Sequence, residues 1–139
     1  MRAITDELLC ELKNAPDIDT FIKTHESHFI NKTTSDYLNE LIKVKDVSVA
    51  DIVKKSGLGE YVYKVFKGER NPSRDILISI AFGMNLSLEE TQLLLRISKF
   101  AILDSRDRRD SVIIYSINKN FSVFKTDDLL EEQNLTTLN

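Results

Sequence analysis

Apolar residues return along this chain at spacings of three and four, each group introduced by a short polar residue suited to capping a helix. Thr5-Asp6-Glu7 places a cap and acidic side chains ahead of Leu8, Leu9 and Leu12. Pro16-Asp17 opens a second segment, with Ile18, Phe21, Ile22 and Phe29 on one face. Thr33-Thr34-Ser35-Asp36 reads as a capping box before Tyr37, Leu38, Leu41 and Ile42. Ser48 with Asp51 starts a short helix carrying Ile52 and Val53, broken at Ser56-Gly57. Another short helix holds Val62, Val65 and Phe66 and ends at Gly68. Asn71-Pro72-Ser73 is a turn plus cap before Ile76, Leu77, Ile80, Ala81 and Met84. Ser87-x-x-Glu90 heads Leu93, Leu94 and Ile97; Ser105 starts a helix with Val112, Ile113 and Ile117; Ser122 starts the last, with Phe124, Leu129 and Leu130. The pattern predicts an all-α fold of about eight or nine short helices.

The middle, 34–98, has helix–turn–helix spacing. Residues 1–33 form an N-terminal helical extension. Residues 99–139 form a C-terminal helical region expected to pack on the core and to offer a dimer or partner surface. No Gly/Ser/Pro-rich linker separates these parts. The charged run Asp104–Asp110 is the candidate hinge, or else a solvated turn between helices.

Composition narrows the class. The chain has 139 residues, of which 42% are hydrophobic, enough for a core without staples. The single cysteine, Cys10, excludes an internal disulfide and reads as a buried small hydrophobe beside Leu9. No run approaches the roughly 20 apolar residues of a membrane span, and Asp6 and Glu7 argue against a signal peptide. The expected setting is cytoplasmic, with no membrane partner. His25 and His28 stand three apart with only Asp17 and Glu26 near, too few ligands for a metal site. No nucleophile elbow, glycine-rich phosphate loop or metal-binding helix appears, so neither an enzyme nor a cofactor is expected.

Net charge is −3, which discourages nucleic-acid binding until its distribution is read. Within 54–74 the bases are Lys54, Lys55, Lys64, Lys67, Arg70 and Arg74, against Glu60 and Glu69 alone, a local +4. Such a stretch is either a small binding face on an acidic body or a solvated helix surface.

At 35–85 the chain resembles the Cro/lambda-repressor-type helix-turn-helix regulators, also called XRE-like. The resemblance rests on Ala50, the turn Ser56-Gly57-Leu58, the string Gly68-Glu69-Arg70-Asn71-Pro72-Ser73, and Asp75-x-Leu77-x-x-Ile80-Ala81. It implies a five-helix DNA-binding core, with the helix at 48–55 across the backbone and a recognition helix near 59–67. Val62 and Val65 then face inward, leaving Glu60, Tyr61, Tyr63, Lys64 and Lys67 outward. Lys64 can donate to guanine O6/N7, Glu60 can accept from cytosine N4, and a tyrosine can touch a thymine methyl or bond a phosphate. Lys67 reads as a phosphate neighbour. Arg70, Asn71, Ser73 and Arg74 would clamp phosphates, with carbonyls at helix ends as the other reading of Arg70. Tyr61 and Tyr63 cannot share one helix face, and Tyr63 is the one expected to be more exposed. Phe66 fills the core or marks a partner surface.

The sequence also departs from that pattern. Val49 stands where the family usually has a phosphate-contacting glutamine, Gly59 where a capping residue is common, and Gly57 to Gly68 is one residue short. The resemblance implies a bacterial-type transcriptional regulator, a repressor in the simplest mechanism. It would bind double-stranded DNA as a homodimer, because one recognition helix reads only about four base pairs. The alternative is a protein-interaction adaptor or antitoxin-like module that keeps the scaffold and binds a protein. Val49, Glu60 and the acidic total favour that alternative.

Overall fold

The computed structural model describes residues 2–24 and 32–139. Among the described residues the fold is all-helical, with nine helices and no strand. Contacts cluster within 1–31 and within 32–139, which form two units.

The first unit holds α1 (Arg2–Asn14) and α2 (Ile18–Thr24). Thr5 lies inside α1, because the residues before it continue the helix and none of them stops it. Asp17 heads α2, its Oδ1 accepting from the Thr20 backbone N–H at 2.7 Å. That bond and one from the Thr20 hydroxyl to Oδ2 hold the Asp17 carboxyl below its ordinary range. Phe21 is buried, whereas Leu9, Leu12, Ile18 and Ile22 are exposed. Cys10 is exposed too, which corrects its reading as a buried small hydrophobe: Leu9 beside it is itself exposed, so that face of α1 forms no core around the thiol. His25, His28, Glu26 and Phe29 lie outside the described residues.

The second unit is built from α3 (Thr34–Lys45), α4 (Val49–Ser56), α5 (Tyr61–Phe66), α6 (Arg74–Gly83), α7 (Leu88–Ile97), α8 (Arg108–Asn118) and α9 (Val123–Glu132). Local capping explains most of the starts. Thr33 and Ser87 form complete capping boxes with Asp36 and Glu90; Ser48, Ser73 and Ser122 each accept a backbone N–H from three residues on. α8 starts later than Ser105: its cap is Asp107, which accepts from the Asp110 N–H at 2.9 Å.

Leu38, Ile52, Leu77, Ile80, Leu94, Leu95, Ile113 and Leu130 are wholly buried, so residues from 34–98 and from 99–139 share one core. α6 lies so close to α4 that a Cβ on Gly83 would stand 3.1 Å from the Ile52 carbonyl oxygen, which is why α6 ends in glycine there. On the α3–α7 side, Lys45 pairs with Glu90 at 2.7 Å. Partial burial alone would raise the Glu90 carboxyl; the bonds from Lys45 and Ser87 outweigh it and hold the group below its ordinary value. Burial, reinforced by Glu90 and Glu40, pushes the Tyr37 hydroxyl up.

The segment Asp104–Asp110 is a turn held by several side-chain bonds. Gln92 clamps its approach, donating to the Leu103 carbonyl at 2.8 Å and accepting from the Leu103 N–H at 2.7 Å. The Asp104 N–H donates to Asp110, and Asp104 holds Arg106 at 3.0 Å. The buried Asp110 carboxylate in turn takes Arg74. Residues 133–139 run back along the unit. Arg109 donates to the Thr136 and Thr137 carbonyls, and Asp127 accepts from the Leu138 and Asn139 N–H groups. Leu138 is buried. No helix of the described residues is long and apolar enough to cross a membrane.

Candidate nucleic-acid interface

α4 and α5 are joined by a four-residue turn, 57–60, in which Gly57 and Gly59 take left-handed φ values of 75° and 68°. Both are glycine because a Cβ is disfavoured in that region. Helix α5 is only six residues, shorter than the expected 59–67. Gly59 supplies no side chain to cap it, and Glu60 at the N-cap makes no capping bond. At the other end Gly68, with φ 76°, lets the Glu69 N–H reach back to the Lys64 carbonyl at 2.9 Å.

Two asparagines that the sequence pattern did not single out hold this pair of helices. Asn39 of α3 donates to the Phe66 carbonyl at 2.9 Å and to the Ser35 carbonyl at 2.8 Å, anchoring the end of α5. Asn139 donates to the Ser56 carbonyl at 3.1 Å and so closes the end of α4. Both satisfy terminal carbonyls left without partners inside their helices.

The faces of α5 divide as its spacing predicts. Val62, Val65 and Phe66 are buried, which assigns Phe66 to the core. Glu60, Lys64 and Lys67 are exposed, Tyr61 is half-buried, and Tyr63 is 39% exposed, the more open of the two tyrosines. Beyond the helix, Glu69, Arg70, Asn71 and Ser73 are exposed. The Ser73 Oγ caps α6, accepting from the Ile76 N–H at 3.3 Å. Val49 is half-buried and packs against the core, with no polar atom to offer a phosphate.

The two arginines of the loop part company. Arg70 makes one marginal contact, Nη1 to the adjacent Glu69 carbonyl at 3.5 Å, and no bond to a helix-end carbonyl. Arg74 turns inward. Its Nη1 and Nη2 meet the two oxygens of Asp110 at 3.1 and 2.9 Å, while Nε and Nη2 donate to the Ala101 and Ile102 carbonyls. The expected phosphate clamp at Arg74 is corrected on this geometry: a guanidinium so committed is an internal brace. Lys54, Lys55, Lys64, Lys67 and Arg70 remain exposed, with no ion pair among the described residues, against Glu60 and Glu69.

This arrangement can bind an extended anion. Cations on three successive segments (α4, α5 and the following loop) stand exposed without an ion pair among the described residues, and Tyr63 adds a ring and a hydroxyl beside them. Among the described residues no group of three or more His, Cys, Asp or Glu side chains is placed to hold a metal ion. No family model, curated protein or solved structure matches this chain.

Proposed function

We propose that the chain is a sequence-specific DNA-binding regulator of transcription, of the helix-turn-helix kind, that reads duplex DNA through the outer face of α5. The observation that carries this reading is the division of α5: Val62, Val65 and Phe66 fasten it to the core, while Lys64, Lys67 and the neighbouring Arg70 stand exposed and unpaired. In this reading Lys64 and Tyr63 address base edges, and Lys54, Lys55, Lys67, Arg70, Asn71 and Ser73 address phosphates. Glu60 limits which bases are tolerated, since it accepts from cytosine and repels phosphate. Repression by occupying a promoter is the simplest mechanism.

Selection of duplexes from a random pool by the purified chain tests it. Enrichment of a common sequence is the expected result, with Lys64→Ala shifting base preference at one position and Arg70→Ala weakening all sequences alike. A pool that stays random refutes it.

A second reading, a protein-binding adaptor on the same scaffold, is favoured by the inward Arg74, the core-packed Val49 and the exposed Glu60. It predicts no enrichment of DNA, and tight capture of an acidic protein surface by the Lys64–Arg70 face.

A further inference from the structure

Residues 136–139 form a strap that has no helix of its own, so side chains of the second unit must satisfy its backbone. Arg109 of α8 donates from Nε to the Thr136 carbonyl at 2.9 Å and from Nη2 to the Thr137 carbonyl at 3.2 Å. The same guanidinium is steadied by Asp75 of α6, at 2.9 and 3.0 Å. One carboxylate of α9, that of Asp127, then accepts the next two backbone N–H groups, from Leu138 at 2.7 Å and from Asn139 at 3.2 Å. The Leu138 side chain, 7% exposed, is seated in the core. The strap is therefore fastened along its whole length from α8 and α9.

What it delivers to the helix pair is one amide. The Asn139 Nδ2 donates to the carbonyl of Ser56, the last residue of α4, at 3.1 Å. It also lies 2.9 Å from where a Cβ on Gly57 would stand, directly against the left-handed residue that turns the chain from α4 toward α5. Gly59, left-handed as well, has nothing within 4 Å of its own Cβ position. The turn is thus pinned at its first glycine and open at its second. Helix α5 cannot fix its own start: it is six residues long and has no side-chain cap, below the length at which a helix holds itself. Asn39 secures its far end, and the near end depends on the turn.

We propose that Asn139 is a positioning residue for the helix pair: the strap, seated by Arg109 and Asp127, holds the Gly57 turn in one conformation and so fixes the direction in which α5 leaves it. For its consequence the inference rests on the DNA reading. A face fixed before binding has less to order on the duplex. A face that wanders is competent only part of the time, and the apparent affinity falls by that fraction. Asn139 acts here through Ser56 and Gly57 and not through a phosphate. Its loss therefore lowers affinity and leaves the number of phosphate contacts, and with it the salt slope, as it was. That separates it from Lys67 and Arg70, whose loss lowers the slope.

Amide hydrogen exchange of the full chain without DNA, read beside its affinity for the selected duplex, tests the proposal. Two variants break the strap at different points. Asn139→Leu keeps the approximate bulk at an exposed site and removes the donor. Asp127→Asn keeps the shape and leaves one acceptor oxygen for two N–H groups. Each should speed exchange over residues 58–63 by about tenfold or more, with residues 77–81 of α6 unchanged. Each should weaken duplex binding by about fivefold or more, with the salt slope unchanged. Should Asp127→Asn speed exchange in α6 as well, Asn139→Leu decides. Unchanged exchange at the turn, faster exchange with undiminished affinity, or a lowered salt slope overturns the inference. A parent chain that binds no duplex overturns the DNA reading and the positioning role with it, so the parent's own binding tells the two failures apart.

Discussion

Arg74 and Asp110, 36 positions apart in sequence, close a two-pronged ion pair at 3.1 and 2.9 Å that fastens the start of α6 to the start of α8. Their sequence neighbours repeat it in reverse. Asp75 accepts from Arg109 at 2.9 and 3.0 Å, so an Arg-Asp dipeptide on one helix is crossed with an Arg-Asp dipeptide on the other. Arg109 then passes the restraint on to residues 136–137. The loop that carries Arg70 to Ser73 is thereby tied to the C-terminal region.

The Asp110 side chain is only 9% exposed and that of Arg74 23%, so removing one partner leaves the other desolvated without compensation. Asp110→Ala should lower stability by about 2–4 kcal/mol in urea unfolding. Arg74→Lys should recover only part of the loss from Arg74→Ala, since an ammonium cannot take both carboxylate oxygens and two carbonyls in that fork. Equal stability of Arg74→Ala and the parent chain would contradict the role of a brace.

The glycines of the α4–α5 turn should not be equivalent. A Cβ on Gly57 would stand 2.9 Å from the Asn139 Nδ2 and 3.1 Å from Phe124, at a left-handed φ. A Cβ on Gly59, also left-handed, meets nothing within 4 Å. Gly59→Ala should therefore cost only backbone strain, about 1 kcal/mol, and Gly57→Ala distinctly more. Thermal unfolding of the two variants checks the order.

Acid should weaken the α3–α7 contact. The Glu90 carboxyl is held below its ordinary value of 4.5 in the fold, so the unfolded chain binds its proton first as pH falls. Its contribution is fully present above that ordinary value and is lost as pH drops through the lower, folded one. Glu90→Gln should flatten the stability profile in that window and leave it unchanged near neutrality in slope. A parent and variant with parallel profiles between pH 5 and 3 would contradict the assignment.

Much of this architecture was legible because its causes are local. A serine or threonine cap needs only the N–H three residues ahead, so Thr33, Ser48, Ser73, Ser87 and Ser122 could be read directly. The inward spacing of Val62 and Val65 likewise follows from helical geometry. What escaped depends on partners distant in sequence. Arg74 beside an exposed loop has the chemistry of a phosphate clamp, and only the approach of Asp110 decides otherwise. The reach of Asn39 to Phe66 and of Asn139 to Ser56 carries no local signal, because those carbonyls lie 27 and 83 residues away. The same holds for the start of α8, where Asp107 competes with Ser105 two residues earlier and both are plausible caps.

If the exposed cations around α5 engage the phosphates of a duplex, binding must depend steeply on salt. Affinity for the selected duplex should fall on the order of a hundredfold between about 50 and 200 mM salt, as about four phosphate contacts require. Lys67→Ala and Arg70→Ala should each reduce the slope by about one, while Arg74→Ala, measured where it remains folded, should leave the slope intact. Binding that is absent, or indifferent to salt and to these two cations, would contradict the claim.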